Sequence, residues 1–138
     1  MRKQSILLVI LFCLFFSKLS AQDWAFVCTN KDGKEKYYIK STPVSNTEGM
    51  IKVWTKSSLP KYTNKRNGKT YLNVESKILY EFDCGERKMQ ILSIIVYNSS
   101  GDIISSYEPK EYELEWKNAV PESIGELLLD KACELFNQ

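Results

Sequence analysis

Histidine is absent from this chain of 138 residues. Without an imidazole there is no Ser-His-Asp or Cys-His arrangement for nucleophilic catalysis, and no histidine-based zinc, copper or haem site. An enzyme of this composition would have to work through carboxylates, lysines or tyrosines, and no paired-carboxylate motif stands out. We therefore expect a protein that is not an enzyme and that holds no cofactor or metal ion.

The sequence also lacks an apolar run long enough for a permanent transmembrane helix. Its unbroken apolar run, Ile6–Phe16, follows two basic residues and is followed by a small-x-small pattern ending at Ala21. This layout is typical of a secretory signal peptide, and the run is too short to span a bilayer. We expect a signal peptide over 1–21 and a mature domain over 22–138 without a transmembrane segment, exported to the periplasm, the cell surface or the medium.

A strong net charge is missing from the expected mature chain, which has 16 basic and 17 acidic residues. Such a balance argues against a nucleic acid as the partner. The charge is nevertheless uneven, because residues 31–88 carry a net +6 and residues 102–138 a net −6. Two interpretations stay open: the halves attract each other in the fold, or the basic half attracts an acidic partner.

Alternating apolar and polar residues, interrupted by Gly, Pro and Asn-Gly or Asp-Gly turns, predict an antiparallel meander. Arg87–Tyr97 is apolar on both faces, which predicts a strand at the centre of the sheet. The polar stretch 57–69, which contains Pro60, is predicted to be a loop. The predicted strands are Trp24–Thr29, Glu35–Lys40, Met50–Lys56, Tyr71–Asp83, Arg87–Tyr97, Ile103–Tyr107 and Glu111–Trp116.

The last segment changes to a helical period. Ser123 and Glu126 have the spacing of a capping box, in which each side chain bonds the backbone of the other residue. We therefore predict an α+β fold, an antiparallel sheet of six to seven strands with one C-terminal helix packed on it. The predicted apolar face of the helix consists of Ile124, Leu127, Leu128, Ala132, Leu135 and Phe136.

Three cysteines remain after removal of the signal peptide: Cys28, Cys84 and Cys133, which allow three pairings. In an oxidising compartment a disulfide is expected to persist. A bond between Cys84 and Cys133 would fasten the helix to the sheet and leave Cys28 as a buried free thiol. We favour this pairing; Cys28–Cys84 is an alternative that would change the placement of the helix.

One cluster of basic residues is the candidate partner-binding site: Lys61, Tyr62, Lys65, Arg66 and Lys69. Flexible cations in a loop suit an anionic glycan or an acidic protein surface. The alternative is an ordinary solvated loop. The aromatic residues Tyr37, Tyr38, Trp54 and Tyr62 are a further candidate surface, but strand packing explains them more simply.

The ordered set of motifs resembles the surface-adhesin protein E family over about residues 24–136. The motifs are Tyr37-Tyr38-Ile39, Val53-Trp54, Glu81-Phe82-Asp83-Cys84, Ile91–Tyr97, Trp116, Val120-Pro121-Glu122-Ser123 and a final helix carrying Cys133.

The resemblance implies an antiparallel sheet whose C-terminal helix is tethered by a Cys84–Cys133 disulfide. The founding member of that family is a bacterial outer-surface adhesin that binds host matrix proteins such as vitronectin and laminin and can associate as a dimer, so the resemblance also implies an adhesin-like protein. We expect an exported, non-enzymatic, adhesin-like protein whose partner is a host matrix protein or a glycan. The alternative is a periplasmic or envelope accessory protein that acts on an envelope partner or as a homodimer.

Overall fold

The computed structural model describes residues 23–136. The predicted signal peptide, residues 1–21, lies outside the described residues. Within them an antiparallel sheet carries one α-helix near the C-terminus, so the α+β fold predicted from the sequence is confirmed. No helix between residues 23 and 136 has the length and apolar character needed to cross a membrane.

The sheet has eight strands, because two short strands that the sequence pattern does not show add to the predicted meander. The elements are β1 (Trp24–Thr29), β2 (Lys36–Lys40), β3 (Ser45–Thr47), β4 (Met50–Thr63), β5 (Thr70–Asp83), β6 (Lys88–Tyr97), β7 (Ile103–Tyr107), β8 (Lys117–Asn118) and α1 (Ile124–Phe136). Six strands lie in the order β1-β2-β4-β5-β6-β7, while β3 pairs with β4 and β8 pairs with β6, and every pairing is antiparallel.

The core lies between α1 and one face of the β1, β2, β4 and β5 strands. Alternate residues of β4 face the helix, and their cross-strand partners in β5 complete the apolar surface. Burying each large apolar side chain stabilises the fold by about 1.5–3 kcal/mol. The buried core consists of Ile39, Ile51, Val53, Phe82, Leu128, Leu129 and Ala132.

Helix α1 begins as the capping pattern predicts, although the reciprocal bond differs. The Ser123 hydroxyl accepts from the Glu126 N–H at 3.2 Å, but the Glu126 carboxylate accepts from the Glu122 N–H at 2.8 Å. Five of the six residues of the predicted apolar face pack in or against the core, whereas Leu127 is 45% exposed and Leu129 is fully buried in addition. Successive residues of an α-helix are about 100° apart, so Leu127 lies at the edge of the face centred on Leu128 and Ala132.

The Cys84–Cys133 disulfide is present, with the two Cα atoms 5.8 Å apart. Cys84 directly follows β5, and its N–H donates to the Gly49 carbonyl at 3.1 Å, so the bond joins the end of the central hairpin to α1. Cys28 is free, as expected from this pairing, and is half-buried in β1.

The prediction of a loop over 57–69 is wrong, because β4 continues to Thr63 and stays in register with β5 up to the Thr63–Thr70 pair. Pro60 is tolerated because β2 pairs with β4 only as far as Ser58. Beyond Ser58, β4 has a neighbour on one side only, which is where a strand accepts a proline. The turn itself covers 64–69, where Gly68 has a φ of +69°.

The strand predicted at Glu111–Trp116 is also wrong, since a 3₁₀ turn forms at Glu111–Glu113. The Glu113 carboxylate accepts from the Lys110 N–H at 2.8 Å, and the Glu113 N–H donates to the Lys110 carbonyl at 2.8 Å. A side chain that bonds nearby backbone in this way competes with strand pairing. Only the short β8 that follows joins the sheet.

Strand β6 is not at the centre of the sheet as its apolar pattern predicted; β4 and β5 occupy the centre, and β6 lies between β5 and the short β7 and β8. The two apolar faces of β6 contact different parts of the protein. Ile91 and Ile94 face residues of the 109–120 segment on the helix side, and Ile95 lies among aromatic residues on the opposite side.

We predict that replacing both Cys84 and Cys133 with Ser lowers the free energy of unfolding by about 4 kcal/mol. The bond closes a loop with a sequence separation of 49, for which the chain-entropy model gives about this value. Urea denaturation followed by tryptophan fluorescence measures the change. The matched control, Cys28→Ala, is expected to cost about 1 kcal/mol or less. Equal losses in the two variants would contradict the role given to the disulfide.

Candidate functional site

The five residues predicted as a partner-binding loop lie together at the turn end of the β4–β5 hairpin, and we call them the hairpin tip. Lys61 and Tyr62 belong to β4 and, as neighbours in a strand, point to opposite faces. Lys65, Arg66 and Lys69 are exposed in the turn. Within residues 23–136, none of the four cations forms an ion pair with a carboxylate.

Asn64 fixes the backbone of the hairpin tip. Its side-chain amide donates to the Ile104 carbonyl of β7 at 2.8 Å, its side-chain oxygen accepts from the Arg66 N–H at 2.9 Å, and the residue is buried. The turn is therefore anchored to the sheet at its base while its cations extend into solvent.

A second cluster of cations lies on the sheet face opposite α1, where aromatic rings alternate with lysines. In β4 the residues that do not face the helix include Trp54 and Lys56. Strand pairing extends this surface across five strands in one row, Phe26–Tyr38–Lys56–Lys77–Ile95. We call the cluster the lysine–aromatic face: Trp24, Tyr38, Lys40, Trp54, Lys56, Lys77 and Tyr97.

The lysines of this face lie over aromatic rings. The Lys56 ammonium is 4.8 Å from the centre of the Trp24 ring and 5.2 Å from that of Tyr38. The Lys77 ammonium is 4.7 Å from the centre of the Tyr97 ring. Each such contact contributes about 0.5–1 kcal/mol at an exposed site, and it holds the lysine in a defined position on the surface.

The charge on this face is only partly neutralised. Lys40 pairs with Asp23 at 3.6 Å and Lys77 with Glu75 at 3.3 Å. Lys56 has no carboxylate partner within residues 23–136, and it lies directly opposite Lys77 in the β4–β5 register. Like charges in opposite positions of an antiparallel pair are destabilising, so an anion placed between these two ammonium groups would relieve their repulsion.

A shallow cleft of about 200 Å³ runs across the lysine–aromatic face. Trp24 and Trp54 contribute ring surface to it, and Lys40 and Lys77 contribute charge. Flat aromatic surface beside fixed cations is suited to a ligand that combines apolar faces with negative groups.

Sequence reasoning missed this site, although part of its signal is visible in the chain. Tyr38 and Trp54 were assigned to strand packing, and each is followed two residues later by a lysine. The site can be recognised only when the order of the strands is known, because Trp24, Trp54 and Tyr97 come from three different strands that pairing brings together. Tyr37 lies on the other side of the sheet against the core.

The free cysteine Cys28 and the tyrosines Tyr37 and Tyr80 have raised pKa values, which disfavours their ionised, nucleophilic forms. Burial raises the pKa of the Cys28 thiol, so it is held in its protonated form rather than as a nucleophilic thiolate. Burial and a 2.7 Å hydrogen bond to Glu35 raise the pKa of Tyr37, and burial raises the pKa of Tyr80. Between residues 23 and 136, no group of three His, Cys, Asp or Glu side chains is placed to hold a metal ion.

Comparison with protein families gives a match. The family model described as "Surface-adhesin protein E" matches residues 24–134, which covers most of the chain. No curated protein and no solved structure shows a significant match.

The raised pKa values of Tyr37 and Tyr80 predict a loss of stability in alkali. The unfolded chain releases these phenol protons near pH 10, whereas the folded chain retains them, so the contribution is complete below about pH 10 and is lost as the pH rises further. Urea denaturation at pH 9 and pH 11 tests this. The drop is expected to be smaller for Tyr37→Phe than for the parent chain, and an equal drop would contradict the assignment.

Proposed function

The chain belongs to the surface-adhesin protein E family, and we propose that it is an exported, non-enzymatic binding protein whose lysine–aromatic face engages an acidic partner. The family indicates an adhesin-like protein that is exported or at the cell surface. The proposed partner is an anionic glycan or an acidic segment of a host matrix protein.

The observation that carries the proposal is the position of Lys56. Its ammonium is held between two aromatic rings, faces another lysine, and lacks a carboxylate among the described residues. The opposed ammonium groups of Lys56 and Lys77 repel each other, whereas an acidic ligand placed between them gains both an electrostatic contact and aromatic contact area.

The hairpin tip extends the basic surface. Tyr62 is six residues beyond Lys56 in the same strand and on the same face, which corresponds to about 20 Å at about 3.3 Å per residue. A short anion therefore contacts one cluster at a time. A long polyanion, such as a sulfated glycan chain, is able to contact both.

Two matched double variants test the proposal: Lys56→Gln with Lys77→Gln on the lysine–aromatic face, and Lys65→Gln with Arg66→Gln at the hairpin tip. Both remove two positive charges, so the comparison isolates position from net charge. Fluorescent heparin, poly-glutamate and neutral dextran are titrated at 0.05 M and 0.5 M NaCl. We expect the first variant to weaken binding of both polyanions about tenfold, since each exposed contact contributes up to about 1 kcal/mol.

Higher salt is expected to weaken binding of both polyanions, because the Debye length falls below about 10 Å. Loss of binding in the hairpin-tip variant alone would contradict the proposed site and indicate that the hairpin tip binds the polyanion. Equal binding of dextran, or no effect of either variant, would contradict the proposal. Binding of heparin without poly-glutamate would identify a glycan, and the reverse would identify an acidic protein.

A second candidate function is an envelope accessory protein that acts as a homodimer or with another envelope component. The supporting observation is β6, whose apolar residues on both faces, apart from the buried Val96, are only half-buried. Light scattering of the mature chain 22–138 tests it. A monomer at all accessible concentrations would contradict the homodimer.

A further inference from the structure

A groove on the helix side of the sheet has no role in the site described above. It lies between β6, the segment 109–120 and the start of α1, and its volume is about 360 Å³. The apolar part of its lining includes Tyr80, Ile91, Ile94, Tyr107, Pro109 and Val120. This volume is at the small end of the range of about 300–1,000 Å³ for ligand sites.

The groove is open to solvent although its lining is apolar. Val120 is 64% exposed, and Tyr112 and Trp116 in the neighbouring segment are 78% and 37% exposed. Contiguous exposed apolar surface of this kind marks interaction sites in folded proteins. Because Gly125 has no side chain, α1 lies close to β6 at this point; a Cβ atom there would be 3.1 Å from the Met89 side chain.

The rim of the groove is acidic. Glu113 and Glu115 line it together with Lys117, and the surrounding residues 107–126 contain six glutamates and two lysines, a net negative charge. Glu115 pairs with Lys117 at 3.5 Å, while Glu108, Glu111 and Glu122 make no ion pair within residues 23–136. The negative charge is therefore available to a partner.

The basic half of the chain does not neutralise this charge. Within residues 23–136, Arg87 is the one residue that forms ion pairs between the basic and acidic halves, with Glu126 at 3.4 Å and Asp130 at 2.9 Å. The lysine–aromatic face is on the opposite side of the sheet. Among the described residues, direct ion pairing between the two halves is thus limited to one arginine.

We infer that the groove is a second binding site, which accepts a bulky apolar side chain from a protein segment that carries Lys or Arg on both sides of it. The apolar lining accounts for the side chain, and the acidic rim accounts for the flanking cations. A second copy of this chain that docked through the same surface would place glutamates against glutamates, so charge complementarity favours a basic partner. The inference does not depend on the proposed function of the lysine–aromatic face.

Three synthetic hexapeptides test the site on the mature chain 22–138. The first has a Leu-Phe pair between two lysines on each side, the second replaces the pair with Gly-Gly, and the third replaces the lysines with glutamates. Isothermal titration at 0.05 M NaCl is expected to give binding of the first peptide at least about tenfold tighter than of either control. An increase to 0.5 M NaCl is expected to weaken it about threefold or more.

Two matched variants place the binding in the groove. Val120→Lys puts a cation at the groove and is expected to weaken binding at least about tenfold, while Leu127→Lys makes the same change at an exposed apolar residue outside the lining and is expected to alter it less than about twofold. Circular dichroism confirms that both variants are folded. Glu115→Gln is expected to weaken binding of the first peptide and leave the Gly-Gly peptide unchanged.

Failure of the first peptide to bind, equal binding of all three peptides, or equal effects of Val120→Lys and Leu127→Lys would overturn the inference. Concentration-dependent self-association that Val120→Lys abolishes would overturn it in favour of a second copy as the occupant. Loss of heparin binding in the Lys56 and Lys77 variant does not bear on these outcomes, so the two sites are tested separately.

Discussion

The register between β4 and β5 is the constraint on which both surfaces of the sheet depend. It places Ile51 opposite Phe82 beneath the helix and Lys56 opposite Lys77 on the other face. Because side chains alternate along a strand, a shift of one residue would bring lysines under α1 and expose the core. The register is fixed at both ends of the hairpin, by the Cys84 N–H bonded to Gly49 at one end and by the 64–69 turn at the other.

Much of the fold follows from local patterns, and the failures have identifiable physical causes. The alternation of apolar and polar residues predicted most of the strands, and apolar residues at helical spacing predicted α1, because each pattern reflects burial of one face of the element. The length of β4 was missed because acceptance of Pro60 depends on where the neighbouring strand β2 ends, which local sequence does not contain. The 3₁₀ turn at Glu111–Glu113 was missed because its glutamates alternate as in a strand while one of them bonds the backbone.

The candidate sites depend even more than the strands on information that local sequence does not contain. The hairpin tip is contiguous in sequence and could therefore be proposed as a candidate from the sequence alone. The lysine–aromatic face collects residues from five strands, so its composition is set by the strand order rather than by any motif. The uneven charge was evident in the sequence, but only the fold shows that it separates onto opposite sides of the sheet instead of being neutralised internally.

The disulfide also ties the fold to a cellular environment. Its contribution of about 4 kcal/mol is comparable to the total stability of many small domains, about 5–15 kcal/mol. In a reducing compartment Cys84 and Cys133 would remain thiols, and α1 would be held to the sheet only by non-covalent contacts, chiefly its apolar face and the ion pairs of Arg87. Without the disulfide the chain unfolds more often, and proteases cleave the unfolded form sooner. Formation of the Cys84–Cys133 bond therefore determines how long a molecule of this protein survives proteolysis.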